Sequence, residues 1–533
     1  MKYFNTEGRC SPRLHYMVNL EPRLELIKKR YIMHGSYFAI NRGRQYGKTT
    51  TLRQLQEYLK SDYTALFMDF QKIGSEEFLN DRVFIRAFTQ VLLTAFDHAG
   101  TNPDAAFLKP LAEYSKEASK ETELYSLREL FIRLSRVCAD APKPVVLMID
   151  ETDSASNSQV FIDFLAMLRA YYLERDNSPI FHSVILAGVY DIKNLKLKIR
   201  PQKEHQYNSP WNIAADFDVA MFFSAEQIAG MLEEYETDNE TGMDVWEIAA
   251  EIYDYTSGYP YLVSAVCRII DERLPGSERF PDSRAAWTKA GISEAVSRIL
   301  SEQIPLFQSM VRQFDEHPEI KQMFKNILFQ GKRVTYNPYS KVINIATMFG
   351  YIVNSDGSIQ AANRIFEMWL YNLFLSEEEL TDAMYDKAQE NYGMFISNGK
   401  LNMKLVLEKF CEHFKEIYGG SSEKFVEDYG RKFFLLYLKP IINGTGNYYI
   451  EAQTRSARRT DVIVDYLGEQ FIIELKIWRG SEYHERGEAQ LSGYLDEYHQ
   501  KTGYLISFNF NKNKQCGVKE LQIGDKVIIE AVV

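Results

Sequence analysis

The chain has 533 residues, 45% hydrophobic and 25% charged, close to the composition of folded globular proteins and far from that of collagenous, coiled-coil or disordered chains. At ~150 residues per domain this length supports three or four domains, each with its own core. Lys and Arg total 62 against 73 Asp and Glu, a net charge of -11, so contact with nucleic acid has to come from a local patch and not from the average field.

The five cysteines, Cys10, Cys138, Cys267, Cys411 and Cys516, are odd in number and far apart, which argues against a disulfide framework and against paired zinc ligands and fits a cytoplasmic setting. No apolar run approaches the ~18 residues of a membrane helix. The N-terminus carries Lys2 and Glu7 without an apolar signal segment, so the first residues are expected to belong to the fold.

In chain order, the first α/β unit begins with the apolar run Tyr37-Phe38-Ala39-Ile40, continues into a Gly- and Arg-rich loop, and then shows helical spacing through Leu52, Leu55 and Leu59. Further runs with the character of buried parallel strands lie at 65–70, 145–149, 184–187 and 219–223, separated by helical stretches at 84–96 and 160–173. The expected product is a doubly wound parallel sheet. The loop reads Gly43-Arg44-Gln45-Tyr46-Gly47-Lys48-Thr49-Thr50. Between a strand and a helix, such a loop can cradle phosphates on its N–H groups, with Lys48 on the β- and γ-phosphates and Thr49 on magnesium. The spacing departs from the usual pattern, because Arg42 stands at the first glycine position. Its partner is the strand at 145–149 followed by Asp150 and Glu151. Asp150 can hold magnesium through water, and Glu151 can polarise the water that attacks the γ-phosphate.

Beyond 224 the pattern is helical, at 227–236, 245–255 and 261–273, with the break Ser257-Gly258-Tyr259-Pro260. Between 304 and 375 two helices precede short strands at 350–353 and 358–361, joined by Ser355-Asp356-Gly357, and a helix from about Arg364, an order that suggests a winged-helix module. The acidic stretch Ser376-Glu377-Glu378-Glu379 reads as a linker. The division expected is 1–275, a P-loop ATPase domain with a helical lid; 276–380, the winged-helix-like module and linker; and 381–533, a second α/β domain.

In that last domain helices are expected up to 438, then strands at 448–451, 461–466 and 470–476, a helix at 488–498 and a strand at 503–508. Glu474 and Lys476 are two residues apart on one strand and share a face, and a hairpin brings Asp461 alongside. Two carboxylates and an ammonium then converge, a set able to hold one or two magnesium ions between Asp461 and Glu474 while Lys476 positions or deprotonates a water for attack on a phosphodiester. Arg455, Arg458 and Arg459 just before Asp461 can neutralise backbone phosphates or form a solvated loop. No metalloprotease pair of histidines and no Gly-x-Ser-x-Gly elbow occurs, so protease and esterase chemistry lack support.

On these residues the chain resembles two families. His15-Tyr16-Met17-Val18, the loop Arg44 to Leu52 and Asp150-Glu151 resemble the AAA-like P-loop ATPases of bacteria and archaea, and Gly258-Tyr259-Pro260-Tyr261-Leu262 is similar to the Gly-x-Pro segment of their lid. The resemblance spans about 10–375 and implies ATP as the nucleotide. It also offers His15 and Tyr16 as an adenine stack, with plain packing as the alternative. Ala187 stands where relatives carry a polar sensor. The C-terminal pattern resembles the PD-(D/E)xK, restriction-endonuclease-like nucleases over about 410–510, with Glu427, Glu451, Gln490 and Tyr494 as supporting positions. Together these imply ATP and Mg2+ as cofactors and nucleic acid, DNA more than RNA, as partner, with a homo-oligomer possible and a role in defence or mobile-element control. The competing reading is an ATP-gated switch whose nuclease fold only binds.

Overall fold

The computed structural model describes all residues except Met1, 118–124, 156–157, 190–210, 331, 378–381, 419–422, 443–445, 451–461, 478–487, 489–490, 497, 499 and 510–514. They divide into two compact units. The first comprises Met1–Asn239, Gly258–Ala265 and Ile345–Gly350; the second comprises Glu240–Ser257, Val266–Asn344 and Tyr351–Val533.

The first unit is built on four parallel strands, β1 (Tyr37–Asn41), β2 (Thr64–Asp69), β3 (Val145–Asp150) and β4 (Ser183–Gly188), in the order β1-β4-β3-β2. Every residue of β3 and β4 is buried, as expected of strands covered on both faces, and this is why they read as unbroken apolar runs. The connecting helices start on side-chain caps: Asn80 accepts from Val83 N–H, Ser126 from Glu129 N–H and Ser158 from Phe161 N–H. Their apolar faces meet in an aromatic core in which Phe88 and Phe131 pack on Phe164, with ring centroids 4.9 and 5.5 Å apart. Because all four strands run the same way, the loops after β1 and β3 leave the same edge, where a doubly wound sheet binds its ligands.

Residues 219–223, expected as a fifth buried strand, do not form one. Among the described residues, the sheet is met beyond β1 only by a single bridge between Phe38 and Ala215. Two carbonyls of that stretch are taken by a side chain instead: the Arg23 guanidinium donates to Met221 O at 2.9 Å and to Phe222 O at 3.4 Å.

The second unit contains helices Val245–Thr256, Lys289–Ser301, Pro305–Glu316, Pro318–Gln330 and Arg364–Ser376 around the antiparallel hairpin of β5 (Ile352–Ser355) and β6 (Ser358–Ala361). The hairpin turns on Asp356 (φ 49°) and Gly357 (φ 79°), a pair of left-handed residues suited to a two-residue loop. Its first strand begins at Ile352 and not at 350. Glu377, expected in a linker, is engaged by Lys321 Nζ at 2.5 Å and Lys325 Nζ at 3.0 Å. Next comes a two-residue hairpin that the sequence did not announce, β7 (Ile396–Ser397) with β8 (Lys400–Leu401).

Helices Met403–Tyr418 and Glu423–Ile442 precede a six-stranded sheet of β9 (Gly446–Ile450), β10 (Val462–Tyr466), β11 (Glu469–Ile477), β12 (Thr502–Phe508), β13 (Gly517–Ile523) and β14 (Lys526–Val532). Its order is β13-β14-β12-β11-β10-β9. The first three strands form an antiparallel meander, whereas β12 is parallel to β11 and β14 parallel to β12. The helical residues 491–496 pack Leu491, Tyr494 and Leu495 on Ile472, Leu505 and Ile528 of one face. On the other face Phe508 meets Phe410 and Phe414, and a β-carbon on Gly430 would stand 2.8 Å from the Phe508 ring, so glycine is what lets that helix approach. β13 and β14 lie beyond the strands expected from sequence. Among the described residues no helix is long and apolar enough to cross a membrane.

Candidate functional site

The loop after β1 is closed by two left-handed residues, Gln45 (φ 61°) and Gly47 (φ 76°). Glycine takes that conformation at little cost, whereas for glutamine it costs about 1–2 kcal/mol, a strain of the kind concentrated at functional loops. The curl carries Lys48 back over the loop, where its Nζ donates to the carbonyls of Arg42 and Gly43, each at 2.8 Å. Lys48 is only 7% exposed. Burial pushes its ammonium pKa down, opposed by the negative charges of Glu151, Asp153 and Asp150. Thr49 Oγ1 donates to Asp150 Oδ2 at 2.5 Å, so the loop and the end of β3 meet as the paired motifs predict.

Asp150 is buried, and its Oδ1 accepts from Glu151 N–H at 3.0 Å. Burial raises its carboxyl pKa, with the Thr49 hydrogen bond acting against the shift. Glu151 leaves the strand with φ 54°. Its carboxyl is also raised, first by burial and then by the charge of Asp150. A poised carboxylate beside a buried one is suited to proton handling, and the hydroxyl and carboxylate oxygens of Thr49 and Asp150 are hard donors of the kind magnesium takes.

Gly43 owes its identity to packing: a β-carbon there would lie 2.4 Å from the carbonyl oxygen of Phe349. Tyr46 is buried, edge-on to Tyr259 at 4.8 Å and tilted against Phe222 at 5.2 Å. Tyr259 Oη donates to the Arg44 carbonyl at 2.8 Å, and Thr50 Oγ1 accepts from Cys10 N–H at 3.0 Å. The Arg44 side chain is exposed. Arg42, at the position of the missing glycine, donates to Phe217 O at 3.3 Å and stands 5.9 Å over that ring. His15 and Tyr16 pack as core. His15 Nδ1 accepts from Ser11 N–H, and Tyr16 Oη donates to Asp238 at 2.9 Å.

Sequence reasoning missed Thr152 and Asp153, which reach the end of β4. Thr152 Oγ1 donates to Ala187 O at 3.0 Å, and Asp153 Oδ2 accepts from Val189 N–H at 2.7 Å. The signal was present as two further polar residues directly after Asp150-Glu151. Gly188 is required there, because its β-carbon would fall 2.6 Å from Thr152 Oγ1.

In the second unit Glu474 and Lys476 share a face of β11 and are joined, Lys476 Nζ to Glu474 Oε1, at 2.6 Å, with the Glu474 side chain 1% and the Lys476 side chain 19% exposed. Tyr494 is buried in the core on that face. Across the sheet Ser507 is in register with Lys476. Its Oγ donates to buried Glu530 at 2.8 Å, and Lys519 Nζ meets the other Glu530 oxygen at 2.8 Å. Ser507 and Glu530 extend the polar strip and were not foreseen, because strand pairing alone brings them there. Asp461, Glu451, Gln490 and the arginines 455, 458 and 459 lie outside the described residues, and Glu427 is on helix Glu423–Ile442 outside the described side chains. Among the described residues no group of three or more His, Cys, Asp or Glu forms a metal cluster.

The family model described as AAA-like domain matches residues 7–372. The chain belongs to the AAA-like domain family. Among solved structures, this AAA-like chain is similar to the Walker-type ATPase PABY2304 of Pyrococcus abyssi, at 14% identity and TM-score 0.44 over 69% of this chain and 99% of that one. It is also similar to the ORC2 protein of Aeropyrum pernix, determined as ADPNP-ADP complexes, at 11% identity and TM-score 0.39 over 69% and 96%. A third similar structure is Cdc6p from Pyrobaculum aerophilum, at 14% and 0.31 over 67% and 94%. No curated protein matches the chain. The assignment rests on the family match, which takes in β1 to β6 and most of helix Arg364–Ser376 and stops before β7.

Proposed function

We propose that this AAA-like protein binds ATP with magnesium and hydrolyses it at Lys48, Thr49, Asp150 and Glu151. The observation that carries the reading is the 2.5 Å contact between Thr49 and Asp150, two oxygen donors from motifs 101 positions apart. Magnesium bound by them would supply positive charge for the β- and γ-phosphates. Lys48 exchanges the two loop carbonyls for phosphate oxygens. The loop N–H groups from Gly43 to Thr50 hold the phosphates in place, and Glu151 takes the proton of the attacking water. Ala187, buried and apolar at the end of β4, favours a second reading in which turnover is slow and occupancy acts as a switch.

We further propose that 381–533 is a PD-(D/E)xK, restriction-endonuclease-like domain that cleaves nucleic acid, DNA more than RNA, with Asp461 and Glu474 holding magnesium and Lys476 directing the water. Support comes from the order helix, three-stranded meander, helix, parallel strand, and from the Glu474–Lys476 pair on the third strand of the meander. Glu427, Glu451 and Gln490 are assigned supporting roles. Residues 1–275 form the ATPase domain and 276–380 a winged-helix-like module, of a cytoplasmic protein that works as an oligomer in defence or mobile-element control. Incubating the full chain with plasmid and single-stranded substrates, with and without ATP and magnesium, tests both parts. Asp461→Ala and Glu474→Ala are expected to abolish cleavage, and intact substrates under every condition with wild type would refute the nuclease assignment while leaving ATP binding open to calorimetry.

A further inference from the structure

Glu151, the residue assigned to the attacking water, stands in a conformation that a chain does not hold unaided. Its φ of 54° is left-handed, which costs a non-glycine residue about 1–2 kcal/mol and persists only where the surroundings over-determine it. Here they do. Its N–H donates to Asp150 Oδ1 at 3.0 Å, and its carbonyl accepts from Ser154 N–H at 3.1 Å and from Ser154 Oγ at 2.9 Å. These three bonds fix the shape of the turn, and the next two residues set its place against the sheet.

Thr152 Oγ1 donates to Ala187 O at 3.0 Å, and Asp153 Oδ2 accepts from Val189 N–H at 2.7 Å, so two side chains grip the backbone on either side of Gly188. The grip requires bare backbone between them: a β-carbon on Gly188 would lie 2.6 Å from Thr152 Oγ1 and 2.9 Å from Asp153 Oδ1. The Gly188 carbonyl in turn accepts from Arg42 N–H at 3.2 Å, and Arg42 O is one of the two carbonyls that hold Lys48. The strand end that anchors the turn of Glu151 therefore also anchors the start of the phosphate loop. The charge of Asp153 is felt by both Lys48 and Glu151, which puts it within electrostatic reach of each. Ala187 brings no polar side chain to this strand end, and the loop after β3 brings two.

We infer that Thr152 and Asp153 are positioning residues for hydrolysis: by clamping the end of β4 they hold Glu151 in its left-handed conformation, aimed at the water that attacks the γ-phosphate. The inference rests on the role proposed for Glu151.

The test is single-turnover hydrolysis at saturating ATP, with ATP affinity by calorimetry, in the full chain. The set is wild type, Asp153→Ala, Asp153→Asn, Thr152→Val, Glu151→Gln and the double variant of Glu151→Gln with Asp153→Ala. A misplacement of about 1 Å in a catalytic group costs up to ~100-fold in rate, so Asp153→Ala is expected to lose at least ~10-fold in turnover while ATP affinity stays near wild type. Asp153→Asn keeps an oxygen for the Val189 N–H and recovers most of that loss, which separates the grip from the charge. Thr152→Val keeps the shape, loses the bond to Ala187 O and gives a smaller loss of the same kind; it carries the test if Asp153→Ala does not fold. The double variant turns over no more slowly than Glu151→Gln alone, because nothing is left to position, whereas a merely structural role multiplies with the Glu151 loss. Wild-type turnover in both Asp153→Ala and Thr152→Val, an Asp153→Asn no better than Asp153→Ala, affinity lost in step with turnover, or losses that multiply in the double variant would each overturn the clamp while an impaired Glu151→Gln keeps the hydrolytic reading. Full turnover in Glu151→Gln would remove that reading and the role of the clamp with it.

Discussion

The two proposed sites treat their lysines in opposite ways. In the first unit Lys48 is buried against neutral carbonyls and, among the described residues, feels the nearby carboxylates only through their charge. In the second, Lys476 is bonded directly to Glu474, whose side chain is almost fully buried. A cation solvated by backbone carbonyls is ready for an anion, because those neutral partners are released cheaply when phosphate oxygens arrive. A cation neutralised by a buried carboxylate has to be displaced before that carboxylate can take a metal. Under the proposed functions the first site would be preorganised for phosphate, and the second, a closed Glu474–Lys476 pair, would have to open to take a metal.

The largest effect that sharpens this contrast is on stability. Lys476→Met takes the ammonium away from buried Glu474, and breaking a buried pair by removing one partner costs roughly 3–5 kcal/mol. Lys48→Met removes a desolvated ammonium at the expense of two carbonyl hydrogen bonds, and the opposing contributions leave a change within about 1 kcal/mol. Denaturant titration of both variants checks this, and equal losses would erase the distinction between the sites. The next effect is on nucleotide affinity. Lys48→Ala forfeits a charge-assisted contact to the phosphates worth about 2–3 kcal/mol, read by ATP calorimetry, whereas Lys476→Ala leaves ATP affinity unchanged. The smallest effect concerns loop support: Tyr259→Phe loses the hydrogen bond to the Arg44 carbonyl and lowers ATP affinity by about 1 kcal/mol, without altering metal dependence at the second site.

Much of the first site was legible because its parts are local. The runs 145–149 of β3 and 184–187 of β4 are apolar since both faces are covered, Asp150 and Glu151 follow at the end of β3, and Lys48 and Thr49 open the helix after the loop that leaves β1. The turn at Asp356-Gly357 was legible for the same reason, since two left-handed positions leave a composition signal. Residues 219–223 misled because an apolar stretch does not say where its carbonyls are bonded, and here those of Met221 and Phe222 accept from the Arg23 guanidinium. Gly43 reads as part of a phosphate loop, yet its constraint comes from Phe349, hundreds of positions away in the chain. β13 places Lys519, Glu520 and Gln522 among Val518, Leu521 and Ile523 along an exposed edge with no residue buried, the charged character that keeps edge strands from pairing further and that hides them from a search for buried runs. Glu530 joined the polar strip only through the parallel register of β12 and β14.

The central claim is that the loop after β1 and the end of β3 form one catalytic site in which binding and hydrolysis belong to different residues. Parallel measurement of ATP affinity and turnover in wild type, Lys48→Ala and Glu151→Gln tests it most directly. The account predicts that Glu151→Gln binds ATP as wild type does while turnover falls ~100-fold or more, and that Lys48→Ala loses binding. Equal loss of binding in both variants, or full turnover in Glu151→Gln, would contradict it.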